Sequence, residues 1–297
     1  MGRIVDVTLR GCKLHSETGR LCVDKPDGAS VRIAYCDIEA VLLSERAIDL
    51  TGCVLSDLAE AGIPLVVCGK DYLPKGVLNP FGVYHAQTRV LQHQIQARST
   101  TLARLWQLIV RRKIANQIAM MRWRRASASD LARMMLTVER GDARNAEGTA
   151  ARIYWQSMRI FKNRNRDAED ANRLLNYCYA VIYSATARAL CAAGLNPGLG
   201  IHHCNGYNDC CLASDVMEPF RIAADYAVVS WMDDHPDMTE LTPTCKAELL
   251  RTMLGVAWRG RLGETSLSEA LAETAVSLRN CFVADRHDLE LPEALCA

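Results

Sequence analysis

The chain opens with short runs in which apolar and polar residues alternate. Val5, Val7 and Leu9 are separated by Asp6 and Thr8, and similar runs follow at Leu21–Val23, Val31–Ile33 and Ala40–Leu43. Period-two runs broken by Gly, Asp and Ser predict strands. One helix interrupts them: Val54, Leu55, Leu58 and Ala61 share a face, Asp49 or Thr51 can cap its start, and Gly62 with Pro64 ends it. Leu65–Cys68 then predicts a buried strand, and Leu78-Asn79-Pro80-Phe81-Gly82 a linker. Beyond it the period lengthens to that of a helix, with Leu102, Leu105, Trp106, Ile109, Ile114, Ile118 and Met121 in one stripe. Further helices are predicted at Leu174–Ala193 and Met217–Met232. Another follows the capping-box spacing Ser266-Leu267-Ser268-Glu269 and runs to Val283. The pattern predicts an α+β two-domain chain: a small β-rich N-terminal domain with one helix at residues 1–82, then a larger all-α domain at residues 83–297.

Composition narrows the class. Hydrophobic residues make up 49% and charged residues 23% of the 297, which supplies a core and excludes a disordered chain. No stretch approaches the ~18 uncharged apolar residues of a membrane span. The most apolar tract, Leu174–Ala187, contains Asn176 and Tyr177 and reads as a buried helix. Arg3, Asp6 and Arg10 leave no apolar leader at the start, so the expected compartment is the cytoplasm. The 13 cysteines are odd in number and contain no CxxC pair, which suits small buried hydrophobes better than a disulfide framework. The five tryptophans read as core residues.

The net charge of +1 conceals an asymmetry: residues 98–173 carry +10 and the remainder −9. Such a basic stretch predicts a surface that faces a polyanion. Its candidates are Arg111, Arg112, Lys113, Arg122, Arg124 and Arg125 on or beside one long helix, with Arg159, Lys162, Arg164 and Arg166 further on.

Three segments carry candidate chemistry: Glu147–Trp155, Gly200–Asn205 and Asp215–Arg221. Each has an ordinary reading alone. Glu147 suits the first turn of a helix, His202-His203 suits a hydrogen-bonded loop pair, and Glu218-Pro219 suits a helix start. Together they offer two carboxylates and an imidazole, a set suited to Mg²⁺ or Mn²⁺. One such ion can polarise a phosphodiester.

These residues resemble the CRISPR-associated endonuclease-integrase family Cas-one, the catalytic subunit of spacer acquisition. The resemblance rests on Glu-Gly-x-Ala-Ala-Arg-x-Tyr at 147–154, Asn-x-x-Leu-Asn-Tyr-x-Tyr at 172–179 and the His…Asp-x-Met-Glu-Pro-Phe-Arg block at 203–221. Ala61–Cys68 adds a match in style, and the wording at Ser214–Glu218 looks most like the type II systems. The resemblance implies metal ligands at Glu147, His203 and Glu218, the family's spacing selecting His203 over His202. It implies Asp215 as a support behind the ligands, and Arg152 and Tyr154 as DNA contacts. It further implies a Mg²⁺- or Mn²⁺-dependent transesterification, in which the 3′-hydroxyl of a short DNA fragment attacks a phosphodiester at a CRISPR repeat. The implied partners are double-stranded DNA, a second copy joined through residues 1–82, a dimer of a small companion Cas protein in a hetero-hexamer, and the type II effector nuclease. Ile222, Cys204, Cys210 and Cys211 depart from the family's wording. Three other readings stay open: a metal-dependent nuclease on branched DNA or repair intermediates, a non-catalytic DNA-capture scaffold, and a zinc site built from His202, His203, Cys204, Cys210 and Cys211.

Overall fold

A computed structural model describes residues 3–69, 74–78, 85–158, 170–261 and 263–295. The N-terminal part contains two four-stranded sheets. The first is ordered β1 (Arg3–Val7), β5 (Ile38–Leu43), β7 (Leu65–Cys68), β8 (Pro74–Leu78). Its first three strands are parallel and β8 is antiparallel. The second is ordered β4 (Ser30–Ala34), β3 (Arg20–Asp24), β2 (Lys13–Glu17), β6 (Asp49–Leu50).

The apolar stretch Ala40–Leu43 of β5, the strand between β1 and β7, is buried on both faces. Val41, Leu43 and Leu65 face a core completed by Leu14, Leu21 and Val23 of the second sheet and by Val54 and Leu58 of α1 (Gly52–Glu60). Leu42, Val66 and Cys68 face the other way, onto Cys191. Thr51 caps α1, accepting from the Val54 amide, and Gly62 follows its end at φ +75°.

The helices of the second part begin with α2 (His85–Ile95), α3 (Ser99–Trp123), α4 (Ser129–Thr137), α5 (Ala146–Met158) and α6 (Ala171–Ala192), of which α3 and α6 carry the predicted stripes and α2 and α4 were not predicted. After them come α7 (Cys211–Val216), α8 (Arg221–Asp234), α9 (Pro243–Leu254) and α10 (Leu267–Ala284). The 25 residues of α3 form an axis about 37 Å long, against which α4, α5 and α8 pack. The capping box at Ser266 and Glu269 forms as predicted.

Two features refine the expected layout. The helix expected over Met217–Met232 begins only at Arg221: α7 ends before it at Val216, and a 3₁₀ turn spans Glu218–Phe220. Pro219 has no amide to continue the ladder. The helical part also holds a small antiparallel sheet, β10 (Gly263–Thr265), β9 (Ala257–Gly260), β11 (Glu293–Leu295). Its fully buried Trp258 packs on Phe220, with ring centroids 5.0 Å apart. The domain boundary expected at residue 82 lies outside the described residues, as do Arg159, Lys162, Arg164 and Arg166.

Candidate metal centre and nucleic-acid cleft

Three segments far apart in the sequence meet at one cleft of about 450 Å³, lined by Glu147, His203 and Glu218 together with Lys113, Arg221 and Asp225. Glu147 enters from the first turn of α5. Asp142 starts that turn, accepting the amides of Ala146 (2.8 Å) and Glu147 (3.0 Å). Asn145 accepts the amide of Gly148 at 3.1 Å. Both turn residues sit at positive φ, which Asp and Asn tolerate because short polar side chains bond locally.

Glu218 enters from the 3₁₀ turn, which Asn116 of α3 fixes by donating to the Pro219 carbonyl at 2.8 Å. The Glu218 carboxylate is buried and doubly held. Its Oε1 accepts from Nε and Nη2 of Arg221, each at 2.9 Å, and its Oε2 accepts from Lys113 Nζ at 2.5 Å. The same ammonium donates to Glu147 Oε1, so one cation bridges both carboxylates. Burial favours the neutral form of Glu218, but Lys113 and Arg221 outweigh it and pull the carboxyl down to about 2. Burial likewise opposes charge on Lys113, and the two glutamates hold its pKa above the ordinary value.

His203 is aimed by Asp215. This fully buried carboxylate accepts the amides of Ile201 (2.6 Å), His202 (2.9 Å) and His203 (3.1 Å), and meets His203 Nδ1 at 2.5 Å. With Nδ1–H donating to Asp215, Nε2 is left with its lone pair. The Asp215 hydrogen bond raises the His203 pKa, while partial burial opposes it. Gly200 permits the close loop: a Cβ there would meet the His203 carbonyl oxygen at 2.1 Å. His202 turns aside and stacks on Trp106 at 4.3 Å.

The donor set suits an oxygen- and imidazole-binding divalent ion, and the Lys113 ammonium bridges the two carboxylates. The donor atoms of Glu147, His203 and Glu218 are nevertheless spread wider than the 4.8 Å within which a ligand cluster closes elsewhere in the molecule. Lys113 is the counter-ion of both carboxylates, and Asp215 bonds the imidazole at Nδ1. No cluster forms from His202, His203, Cys204, Cys210 and Cys211. Cys210 and Cys211 are buried, and the Cys211 thiol donates to the carbonyls of Asn205 and Asn208. The described cysteines are free thiols.

Several side chains expected to meet DNA are placed otherwise. Tyr154 is fully buried because Ala150, Tyr154 and Met158 form the inner face of α5, and its hydroxyl donates to Asp225 at 3.0 Å. Lys113 lies on the inner stripe of α3 with Trp106, Val110 and Gln117. Arg111 is half-buried and donates to the Val138 carbonyl at 3.2 Å. Arg112 is half-buried too, and burial lowers its pKa. Arg122, Arg124, Arg125 and Arg152 are exposed, with Arg124 paired to Asp233.

The sequence reading missed Asp225. It accepts from the hydroxyls of both Tyr154 and Tyr179, and burial pushes its carboxyl up to about 6. The Arg221 guanidinium lies 4.6 Å over the Tyr179 ring. The motif Asn172–Tyr179 held the signal, since it supplies one of these tyrosines. Trp155 also lines the cleft. No described helix is long and apolar enough to cross a membrane.

Comparison with known proteins agrees on one family. The model of the family described as CRISPR associated protein Cas1, the Cas-one family named above, matches residues 5–237. A CRISPR-associated endonuclease Cas1 of Neisseria meningitidis serogroup C (strain 8013) is 34% identical over 289 residues, spanning 96% of this chain and 94% of that relative. Among solved structures, a partial Cas6-RT-Cas1–Cas2 complex superposes with a TM-score of 0.77 at 19% identity, covering 98% of both chains. A casposase bound to integration product superposes with a TM-score of 0.75 at 17% identity, covering 97% of both. At such identities the two structures speak for the fold.

Proposed function

The chain belongs to the Cas1 family, and from that premise we propose that it is the DNA integrase of CRISPR adaptation, acting at the Glu147–His203–Glu218 cleft. Its 34%-identical relative is named an endonuclease, which supports phosphodiester chemistry. Solved relatives include a Cas1–Cas2 complex and a casposase on its integration product, which supports DNA and a small companion Cas protein as partners. Residues 1–82 are assigned to pairing with a second copy, and the type II effector nuclease to fragment choice.

Glu147, His203 and Glu218 hold Mg²⁺ or Mn²⁺ in this reading. When bound, the ion supplies charge neutralisation for the attacked phosphodiester. The chain's own contribution is positioning. Asp215 fixes the imidazole so that Nε2 points away from it. Arg221 keeps Glu218 ionised and oriented through two hydrogen bonds. Exposed Arg122, Arg125 and Arg152 give the flanking surface positive charge for the DNA backbone. The 3′-hydroxyl of the fragment is itself the nucleophile, so no protein nucleophile is needed. The bond formed is fragment O–P and the bond broken is the P–O of the repeat strand; the attacking hydroxyl gives its proton to solvent, and the departing repeat-strand oxygen takes one up to leave as a hydroxyl.

The observation that carries the reading is the convergence of three separated segments, each with a potential ligand, on one cleft that already holds a cation between two carboxylates. The test is strand transfer of a short duplex into a repeat-bearing plasmid. Glu147→Ala, His203→Ala and Glu218→Ala should each abolish joining while the protein keeps its circular dichroism spectrum. Near-normal joining by all three overturns the assignment.

A further inference from the structure

The outer face of the β2–β3 hairpin carries a second constellation of metal-binding side chains, far softer in character than the cleft. The hairpin turns through Thr18 and Gly19, at φ +41° and +76°, a two-residue turn that fixes the strand register. That register sets His15 directly across from Cys22. Glu17 lies two residues along β2 and Asp24 two residues along β3, so all four share one face. The opposite face is the one built into the core by Leu14, Leu21 and Val23. Cys22 is fully buried yet belongs to no apolar cluster: it sits beneath the charged side chains of this outer face.

One donor atom from each of His15, Glu17 and Cys22 lies within 4.8 Å of the others. Two of the distances are informative. His15 Nε2 stands 3.7 Å from Glu17 Oε1, and Cys22 Sγ stands 3.7 Å from Glu17 Oε2. The first is too long for a hydrogen bond. The two distances run to different oxygens, so the Glu17 carboxylate faces the imidazole with Oε1 and accepts from the Cys22 thiol with Oε2, bridging the two other donors. The other ring nitrogen, His15 Nδ1, faces Asp24 Oδ2 at 3.3 Å. The imidazole thus stands between two carboxylates, with Asp24 at Nδ1 and Glu17 on the side of Nε2. A carboxylate behind the imidazole is also the usual support of a zinc-bound histidine. The Arg32 guanidinium contributes a neighbouring positive charge, its Nε 3.2 Å from Glu17 Oε2, and leaves Oε1 to the shared space.

We propose that His15 Nε2, Glu17 and the Cys22 thiolate form a binding site for a thiophilic divalent cation, Zn²⁺ foremost, with Asp24 positioning the imidazole and solvent filling the open side. Binding breaks the Cys22 S–H bond, forms the sulfur–metal bond and releases the proton to solvent. The thiolate and imidazole set this site apart from the carboxylate-rich cleft, which suits harder ions.

The test is titration of the full-length protein with Co²⁺, a coloured stand-in for Zn²⁺, followed by displacement with Zn²⁺. The wild type should develop a near-ultraviolet sulfur-to-cobalt band and the visible envelope of four-coordinate cobalt, both erased by Zn²⁺. Glu218→Ala should keep both, since the cleft contributes no thiolate. Cys22→Ser should lose the sulfur band. His15→Ala, on a partly exposed surface that tolerates truncation, should raise the Co²⁺ midpoint by at least about 10-fold, and Asp24→Asn by about 10- to 100-fold. A wild type without the band, a band that persists in Cys22→Ser, or a midpoint unchanged in His15→Ala overturns the proposal.

Discussion

Asp215 and Lys113 set the state of the cleft from opposite sides. Asp215 takes three backbone amides and the imidazole. Asp215→Asn replaces acceptor capacity with an NH₂ facing donors. It should weaken Mn²⁺ binding by about 10- to 100-fold with every ligand in place. Isothermal titration calorimetry reads this directly, and an unchanged affinity would mean that Asp215 does not act through His203. Lys113→Met leaves the two carboxylates facing each other without their counter-ion. A broken buried pair of this kind costs about 3–5 kcal/mol. The melting temperature should therefore fall, and Mn²⁺ should restore more of it than in the wild type, because the ion takes over the role of the ammonium. A variant that melts like the wild type, with or without Mn²⁺, would show that Lys113 is not what holds the carboxylates. Asp225 makes a prediction in pH. Its carboxyl sits at about 6 in the folded protein and near 3.8 when unperturbed. Between those values the folded chain holds a proton that the unfolded chain has released. Its contribution to stability is therefore full below about pH 4 and is lost as pH rises through about 6. Asp225→Asn should gain on the wild type by on the order of 2–3 kcal/mol between about pH 4 and pH 7. A pH-independent difference in unfolding free energy would contradict the burial of an ionisable carboxyl there.

At the scale of elements, local chemistry was readable wherever it is self-contained. The capping box of α10 is spelled by Ser266 and Glu269 alone, and both of its hydrogen bonds form. Ser266→Ala should cost about 1 kcal/mol, measured by denaturant unfolding. The long stripe of α3 was equally plain, and it held a clue that the charge count obscured. Lys113 follows Arg111 and Arg112 and reads as part of a basic surface, yet it falls in the apolar stripe that contains Trp106, Val110 and Gln117. A lone lysine on a buried stripe signals a buried carboxylate partner. Tyr154 hides in the same way among Ala150 and Met158. Parallel pairing of β1, β5 and β7 was not legible, because alternating or apolar runs indicate which faces are buried and leave partner and direction open. The short strands β2 and β8 escaped for a different reason: their polar residues lie at edges or on the solvent face.

Across the whole molecule, the cleft depends on contacts between segments that sequence spacing alone does not reveal. Glu147, His203 and Glu218 were legible through resemblance to a family, and Arg221 stood in the same motif, whereas the places of Lys113 and Asp225 around them required the fold. The charge asymmetry of +10 against −9 survives folding only in part, since Arg111, Arg112 and Lys113 are partly or wholly buried. DNA affinity should still fall with salt, with a log–log slope near −0.9 for each phosphate neutralised, and Arg122→Ala, Arg125→Ala and Arg152→Ala should each lower that slope by about one. The central claim is that this cleft directs a DNA 3′-hydroxyl, rather than water, at a phosphodiester of the repeat. Integration into a supercoiled repeat-bearing plasmid, with the companion Cas protein and Mn²⁺ present, tests it most directly when fragments ending in a 3′-hydroxyl are set against fragments ending in a dideoxynucleotide. The first should give joined products and the second neither joining nor nicking at the repeat border; border nicking at equal rates with both fragments would show that water, not the fragment end, attacks.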